Sequence, residues 1–421
     1  MENSETLGDI KKDETITSSE TIEQTITDNN EKPHSKKKIV LIIVAVLLLV
    51  GICIGVTFYV LNNNNTKNDE TPSSEDVSES EEKPIEHTEE KIDEPEIAKT
   101  AVLPTGFALN KRLCELSGSS TNENVACEDK DRRIVSIKRA KNIPESKKTD
   151  KYDVTENDSE TSVYFWYEQN AGAETGTIYY YSEAKTIYAD KEFNGAFAGL
   201  LVLSDISGLA DIDMSKVENA DCLFCEDEKL KTVNALKDWD MSNVVRMGYM
   251  FMRAGLTDIS GLAGWNVSKV KAFDGLFMEA YGVSDISALK NWDMSSAEDM
   301  GDMFYRCSQI KDISAVSNWK TSTFEVIGGM FAELTELKDI TPLKNWDTSK
   351  VYHASSLFQG DESLSDITPI AKWNMKKLKA SYGMFKDTKV YDATALNSWE
   401  VPVLDFKEEM FNEGAKTPKW Y

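Results

Sequence analysis

A tryptophan recurs at almost constant spacing through the second half of the chain, and this period constrains the fold more than any other feature. Successive members are separated by 26, 27, 27, 27, 27 and 26 residues. The column consists of Trp239, Trp265, Trp292, Trp319, Trp346, Trp373 and Trp399. A period of this length is typical of a solenoid, in which each unit buries its apolar face only by stacking on its neighbours.

A phenylalanine column repeats with the same period. Its members are Phe197, Phe224, Phe251, Phe277, Phe304, Phe331, Phe358, Phe385 and Phe411. Eight repeats fit between the first and the last of them. We therefore predict that residues 193–421 form a solenoid of eight coils.

Within one unit, the pattern predicts a helix that begins at a serine. The serine hydroxyl can accept the free N–H groups at a helix start. The serines concerned are Ser215, Ser242, Ser268, Ser295 and Ser349. In the clearest copy, Val244, Met247, Met250 and Phe251 recur at helical spacing and would form one apolar stripe.

The sequence of the rest of the unit predicts an extended segment followed by a second, short helical turn. Leu337 and Ile340 would point inward from a short strand or extended turn. Thr341-Pro342 and Thr368-Pro369 each resemble a cap followed by proline at the first helical position, and the turn would end at the tryptophan. The predicted fold class is therefore an α/β repeat solenoid.

A long uncharged segment precedes the repeats. Ile39 to Leu61 comprises 23 residues without a charge, which at about 1.5 Å per residue exceeds a hydrocarbon core of about 30 Å. We predict a transmembrane helix over residues 39–61, through which the protein contacts the membrane. Four lysines between residues 32 and 38 favour a cytoplasmic N-terminus. Residues 1–38 are then a disordered cytoplasmic tail, and the repeat domain is extracellular at the cell membrane.

Residues 62–100 have the composition of an acidic, disordered stalk. The segment from Thr66 to Ile97 has thirteen Asp and Glu against three Lys and has no aromatic residue, so it cannot bury enough apolar surface to order itself. The whole chain has a formal net charge of −25. A field of that sign repels phosphate backbones and excludes nucleic acid as a partner.

The stretch "VYFWYEQNAGAETGTIYYYSEAKTIY", which begins at Val163, predicts a β-hairpin. Two aromatic segments flank a turn that contains glycine and asparagine.

The motifs "NWDMSNVVRMGYMF", "NWDTSKV" and "LKDISAV" resemble the repeats of BspA-type leucine-rich-repeat surface proteins of bacteria, and "DISGL" and "DITPL" are similar to internalin-type repeats. The resemblance covers about residues 193–411. It implies a leucine-rich-repeat-like solenoid, a β-rich N-terminal cap over residues 101–192, and a surface protein that acts in adhesion or recognition. It implies no catalytic residue.

The small number of histidines also favours a non-enzymatic protein. The three histidines are His34, His87 and His353, and only His353 falls in the repeats. The chain is therefore short of histidine for a Ser-His-Asp triad, a Cys-His pair or a His-rich metal site. There is no P-loop and no dinucleotide-binding fingerprint. We therefore predict no catalytic residue, no cofactor and no metal ligand.

An aspartate column leaves alternatives open. It consists of Asp205, Asp258, Asp285, Asp312, Asp339, Asp366 and Asp392, most of them followed two residues later by Ser or Thr. Hydrogen bonds to nearby backbone in turns explain the column best. A calcium ladder and direct ligand contact are the alternatives, although one carboxylate per coil supplies too few oxygens for calcium.

The cysteines and tryptophans also have two interpretations each. A Cys114–Cys127 bridge remains open. Cys222 and Cys225 would lie three apart on a helix, too far for a relaxed disulfide, so free thiols are expected. Cys307 is expected to be a small core residue. The Trp column is expected to pack in the core, with a sugar-stacking ladder as the alternative.

We therefore expect a membrane-anchored surface protein that binds a macromolecule of a host, a neighbouring cell or a matrix through its repeats. The alternative is a structural envelope spacer without a specific ligand, with or without calcium. Solvent-facing positions that differ between coils, such as Lys271, Glu279 and Tyr305, are expected to determine specificity.

Overall fold

The computed structural model describes residues 98–121, 130–156 and 158–421. The predicted tail (1–38), the predicted membrane helix (39–61) and all of the predicted stalk before residue 98 lie outside these ranges. Within them, no helix is both long enough and apolar enough to cross a bilayer. The part of the chain that the structure describes therefore does not support the prediction of a single-pass membrane protein with an extracellular repeat domain.

The chain before the repeats contains five short strands and the only α-helix of the described residues. In chain order they are β1 (Thr100–Val102), α1 (Gly106–Ser117), β2 (Ile134–Arg139), β3 (Val163–Gln169), β4 (Gly176–Ser182) and β5 (Thr186–Tyr188), with a 3₁₀ turn at Glu145–Lys147. β3 and β4 pair antiparallel along their whole length, so the predicted hairpin is present. β2 pairs in parallel with β4 on its other edge.

This N-terminal part continues directly into the first repeat. β5 lies between β1 and a two-residue strand of the first repeat, β6 (Ile212–Asp213), and both pairings are parallel. In α1, the N–H of Gly106 donates to Glu192 O at 2.8 Å, and Asn110 Nδ2 donates to Ala198 O at 3.0 Å. These bonds satisfy backbone carbonyls at the open end of the first coil.

The repeats stack through a column of single-residue parallel bridges, one per coil. The bridged residues are Glu192, Asn219, Arg246, Ala272, Asp299, Val326, His353, Ala380 and Phe406. After each bridge, alternate N–H groups donate to the following coil. In one coil, Met247, Tyr249 and Phe251 donate to carbonyls of the next coil at 3.1, 2.7 and 3.0 Å.

The predicted α/β class is wrong, because the described repeats contain no α-helix. The apolar stripe is buried as expected, but the backbone between Met247 and Phe251 donates to the next coil and not to the carbonyl four residues earlier. Tyr249 also has φ of 56°, which no right-handed helix allows. Consecutive turns thus bring inward the residues that the predicted helix would have buried. The repeats consist of turns, bridges and short 3₁₀ helices.

The second helical turn of each unit is present as a 3₁₀ helix. Pro342 and Pro369 lie in the first turn of their helices, and Trp292 follows directly after the last residue of its helix. The repeat 3₁₀ helices are Ser207–Asp211, Asn234–Leu236, Ser260–Gly264, Ser287–Asn291, Ser314–Asn318, Thr341–Leu343, Thr368–Ile370 and Thr394–Ser398. The inward positions before them, such as Leu337 and Ile340, are fully buried as predicted.

The phenylalanine column forms the centre of the stack. From Phe197 to Phe385 its members are fully buried, and Phe411 is 7% exposed. Neighbouring rings are nearly parallel, with centroids 5.3–6.0 Å apart. Each ring therefore has an aromatic neighbour in the adjoining coil, which adds to the stabilisation from burial alone.

Candidate functional site

The tryptophan column is part of the core. Its members are 3–5% exposed. Each indole Nε1 donates to a backbone carbonyl in the 3₁₀ helix of the preceding coil, for example Trp292 to Leu262 and Trp346 to Val316, at 2.9–3.1 Å. The predicted packing role is confirmed, and a sugar-stacking ladder on these rings is excluded by their burial.

The aspartate column terminates the extended segments through turn hydrogen bonds. In each member, Oδ1 accepts the backbone N–H of the Ser or Thr two residues later at 2.7–3.1 Å. The predicted turn role is therefore confirmed. Over the residues that the structure describes, no group of three or more His, Cys, Asp or Glu is arranged to hold a metal ion.

The serines predicted to begin helices have a different role. The backbone N–H of Ser242 donates to Asp240 Oδ1 at 2.9 Å, and Ser349 donates to Asp347 Oδ1 at 3.0 Å. Ser215, Ser268 and Ser295 make the same bond to the Asp or Asn two residues earlier. The serine therefore closes a turn and does not cap a helix.

The prediction of free thiols at Cys222 and Cys225 is wrong, because the two form a disulfide. Their Cα atoms are 4.8 Å apart in a turn where Cys222 has φ of 55°, so the helical geometry behind the prediction does not apply. Cys307 is a small core residue, as predicted; its thiol is free, and burial raises its pKa to about 12. Cys114 is disulfide-bonded, and Cys127 lies outside the described residues.

Two backbone positions in each coil are left-handed, four residues apart. The first position, three residues after the bridge, is occupied by Gly195, Cys222, Tyr249, Gly275, Asp302, Gly329, Ser356 and Gly383. The second is occupied by Gly199, Glu226, Arg253, Glu279, Arg306, Glu333, Gly360 and Asp387. Such φ values are unusual outside glycine, and here the hydrogen bonds to the adjoining coil hold them.

Charges of alternating sign occupy the second left-handed position and form a continuous ladder. We call the series Lys130, Glu226, Arg253, Glu279, Arg306 and Glu333 the ion ladder. Its five consecutive nitrogen–oxygen contacts are 2.7–3.4 Å long. Because every member except the first comes from a different repeat, the ladder ties five coils together along one face.

Glu279 is the centre of the ladder. It is 7% exposed and lies between Arg253 Nε at 2.7 Å and Arg306 Nη1 at 3.3 Å. Burial alone would raise the pKa of its carboxyl, but the hydrogen bonds and charge of the two guanidinium groups outweigh that cost and lower the pKa. The expectation that Glu279 faces solvent as a specificity position is therefore wrong.

Asp227, next to the ladder, is a fully buried carboxyl. Its Oδ1 accepts the N–H of Leu200 at 2.9 Å, and Oδ2 has no hydrogen-bond partner. Burial raises its pKa well above the usual value, the Leu200 N–H opposes this, and the charge of Glu226 adds to it. Asp361 occupies the equivalent position, accepts the N–H of Leu334 at 2.8 Å, and its pKa is raised for the same main reason.

Replacing Asp227 with asparagine is expected to raise stability at neutral pH. Because the pKa is higher in the folded chain, the stabilisation from proton binding is complete below the unfolded pKa of about 4 and is lost as the pH rises toward the folded value. Asparagine keeps an oxygen for Leu200 and does not titrate. In urea unfolding, Asp227→Asn should match the wild type near pH ~4 and exceed it near pH ~7.

The exposed Asp405 provides the matched control for this prediction. Asp405→Asn makes the same change in charge at the surface, and it should shift the urea midpoint little at either pH. An Asp227→Asn protein that is less stable than the wild type near pH ~7 would contradict the assigned role of burial.

Two concave surfaces lie along this face. The larger, which we call the ladder groove, has a volume of about 520 Å³ and is formed by Lys130, Glu226, Glu228, Lys231, Arg253, Ala254, Gly255, Glu279, Tyr281 and Gly282. The smaller, which we call the Asp302 pocket, has a volume of about 270 Å³ and is formed by Met278, Asp302, Tyr305, Gly329, Ala332, Glu333, Ser356 and Gln359.

The two surfaces differ in how their charges are satisfied. In the ladder groove, Lys130 and Arg253 belong to the ion ladder and Lys231 Nζ donates to Gly255 O at 2.9 Å, while Tyr281 is 54% exposed at the rim. In the Asp302 pocket, no hydrogen bond or ion pair within the described chain engages the Asp302 carboxylate. The cations of the groove are thus engaged within the chain, whereas the pocket carries an unpaired, half-buried carboxylate.

The sequence interpretation identified the core columns but missed the ladder and both surfaces. The signal is nevertheless present in the printed sequence: when the Phe column is aligned, the residue two positions after each Phe reads Gly, Glu, Arg, Glu, Arg, Glu, Gly, Asp from Phe197 to Phe385. Tyr305 is partly exposed and lines the Asp302 pocket, and Lys271 is exposed, so these two expected surface positions are accessible.

Comparison with known proteins gives one family match. The family described as Mycoplasma protein of unknown function, DUF285, matches residues 191–315 and again residues 308–419, which together span more than half of the 421 residues. A comparison with curated proteins found no match. The family match agrees with a repeat-containing protein of the surface type, and it does not confirm the finer BspA-type assignment.

Proposed function

The chain belongs to this repeat-containing family, and from that premise we propose that it is a non-catalytic recognition protein whose repeats bind a macromolecule, as in adhesion. The proposal concerns the face that carries the ion ladder. The observation that supports it is the division of each coil into constant and variable positions. The Phe and Trp columns repeat one residue type in the core, whereas the two left-handed positions carry different side chains in successive coils.

This division is what recognition by a solenoid requires. The constant columns determine stability, and the variable positions form a continuous surface whose chemistry changes from coil to coil. The ladder groove crosses several coils and presents the exposed ring of Tyr281 beside paired charges. A tyrosine side chain at the rim offers a large aromatic contact area and a polar hydroxyl group. Tyrosine is enriched at the surfaces through which proteins bind other macromolecules.

A spacer without a ligand is the second candidate, and the ion ladder is the observation that favours it. Five coils joined by successive ion pairs and stacked rings form a stiff unit whether or not anything binds. The two candidates differ in one respect. A recognition protein loses binding when its groove is altered, whereas a spacer has no binding to lose.

The experiment uses the purified full-length protein on a glycan array and on a peptide array. We expect a specific glycan or peptide to bind, and the double substitution Lys231→Ala with Tyr281→Ala to weaken it about tenfold or more. The matched control is Lys290→Ala with Lys344→Ala, two exposed lysines outside both concave surfaces. Mass spectrometry of the recovered ligand should show no chemical change.

Two results would contradict the proposal. Failure of both arrays to give a specific ligand would favour the spacer. Equal weakening by the groove and control substitutions would show that binding does not involve the ladder groove.

A further inference from the structure

The Asp302 pocket is formed by four successive coils. Met278, Asp302 and Gly329 come from different repeats, and Ser356 belongs to the next. Asp302 occupies a left-handed position with φ of 53°, so its side chain lies along the stack and over the backbone of Gly329 in the following coil. Any side chain at position 329 would occupy the space of this carboxylate, so glycine is required there for the pocket to exist.

The side-chain oxygen atoms around the pocket, apart from those of Asp302, already have partners. Tyr305 Oη contacts Glu333 Oε1 at 3.4 Å, and Glu333 also accepts from Arg306 Nε at 3.1 Å. Ser356 Oγ is bonded to Gln359 Oε1 at 2.7 Å. The Asp302 carboxylate is half-buried, and its pKa is raised by burial and by the charge of Asp299.

The remaining wall of the pocket is apolar. Met278 and Ala332 face it together with the ring of Tyr305 and the bare backbone of Gly329. One unpaired anion therefore lies at a small pocket that offers methylene, methyl and aromatic surface beside the polar groups of Glu333, Ser356 and Gln359. A side chain that fits has an apolar stem and a single positive head.

We propose that the Asp302 pocket binds a lysine side chain of a partner protein, with the ammonium group at the Asp302 carboxylate and the methylene stem against Met278 and Ala332. The proposal rests on the proposed recognition function and names the partner's chemistry. The single unpaired carboxylate matches one compact ammonium group on an apolar stem, and the neighbouring carboxylate of Glu333 is already engaged by Arg306. The net charge of −25 favours the approach of a basic segment.

The test measures binding of a fluorescent hexalysine peptide to the full-length protein at physiological salt. Asp302→Asn is the informative variant, because asparagine tolerates the left-handed backbone and the carboxylate has no partner to orphan. We expect this variant to bind about tenfold more weakly, since one charge-assisted hydrogen bond is lost. Glu325→Gln removes an exposed carboxylate outside the pocket and should alter affinity less than about twofold.

Three outcomes would overturn the proposal. They are equal weakening by Asp302→Asn and Glu325→Gln, equal binding of a hexapeptide of acetylated lysine, and failure of hexalysine to bind. If hexalysine does not bind but Asp302→Asn still binds a ligand found on the arrays, the lysine pocket is rejected and the proposed recognition function is retained. If Asp302→Asn instead abolishes the binding of a glycan, the ligand of the pocket is a sugar and not a lysine side chain.

Discussion

Replacing Trp346 with alanine is expected to destabilise the repeats by about 3–5 kcal/mol. The ring is 5% exposed and lies between Trp319 and Trp373, with centroids 6.5 and 6.3 Å away. It also contacts the rings of Phe324 and Phe331. The substitution leaves a cavity that these stacked neighbours cannot close, because each is held by its own coil.

The conservative variant Trp346→Phe separates packing from hydrogen bonding. Phenylalanine keeps most of the ring but removes the Nε1 donor of the Val316 carbonyl, 3.1 Å away, which then accepts only from the N–H of Trp319 at 3.3 Å. We expect a loss of about 0.5–1.5 kcal/mol for that lost hydrogen bond. Urea unfolding followed by far-UV circular dichroism measures both variants. Equal stability of Trp346→Ala and the wild type would show that the ring does not pack between coils.

The core could be predicted from the sequence because burial leaves a periodic trace. The Phe and Trp columns, the inward Leu337 and Ile340, and the 3₁₀ turns after Thr341 and Thr368 were all readable from spacing and from proline placement. These features depend on residues close together in the chain or on strict recurrence. Each copy adds independent support for the same assignment.

The helix after each serine could not be excluded from the sequence, because the apolar positions of two consecutive turns have helical spacing. Whether a segment is helical depends on where its N–H groups donate. The N–H of Phe251 donates to Leu276, twenty-five positions later, and nothing in the local sequence indicates that partner. The same error led to the wrong prediction for Cys222 and Cys225, whose side chains approach in a turn.

The left-handed positions were hidden for a related reason. Glycine is the usual residue at positive φ, but Tyr249, Arg253 and Glu279 also adopt it here, at a conformational cost of about 1–3 kcal/mol each. Inter-coil hydrogen bonds offset that cost, for example Glu279 N to Tyr305 O at 2.7 Å. The alternating charges are visible in the aligned repeats, but because the ladder side chains project from these left-handed positions, their ion pairs and the Asp302 pocket could not be located before the backbone was known.

Reversing the charge at the centre of the ion ladder is expected to be nearly as costly as removing a core ring. Glu279→Arg places a third cation between Arg253 and Arg306 at a position that is 7% exposed. The three like charges repel, and Arg253 and Arg306 both lose Glu279 as a partner. We therefore expect the free energy of unfolding to fall by about 3–4 kcal/mol. Glu279→Gln keeps the shape and removes only the charge, and the expected loss is about 1–2 kcal/mol because both arginines are half exposed.

The exposed pair Lys271–Glu298, 2.9 Å apart in neighbouring coils, is the matched control. Glu298→Arg makes the same change of charge where both side chains are about half exposed, so it should cost less than about 1 kcal/mol. Urea unfolding at low and high salt tests the electrostatic origin, because added salt should recover part of the Glu279→Arg loss by screening the repulsion. Equal losses for Glu279→Arg and Glu298→Arg would mean that the ladder contributes no more than isolated surface pairs. A Glu279→Arg loss that salt leaves unchanged would attribute the effect to packing, and the alternation of sign along the five coils would then have no role in holding them together.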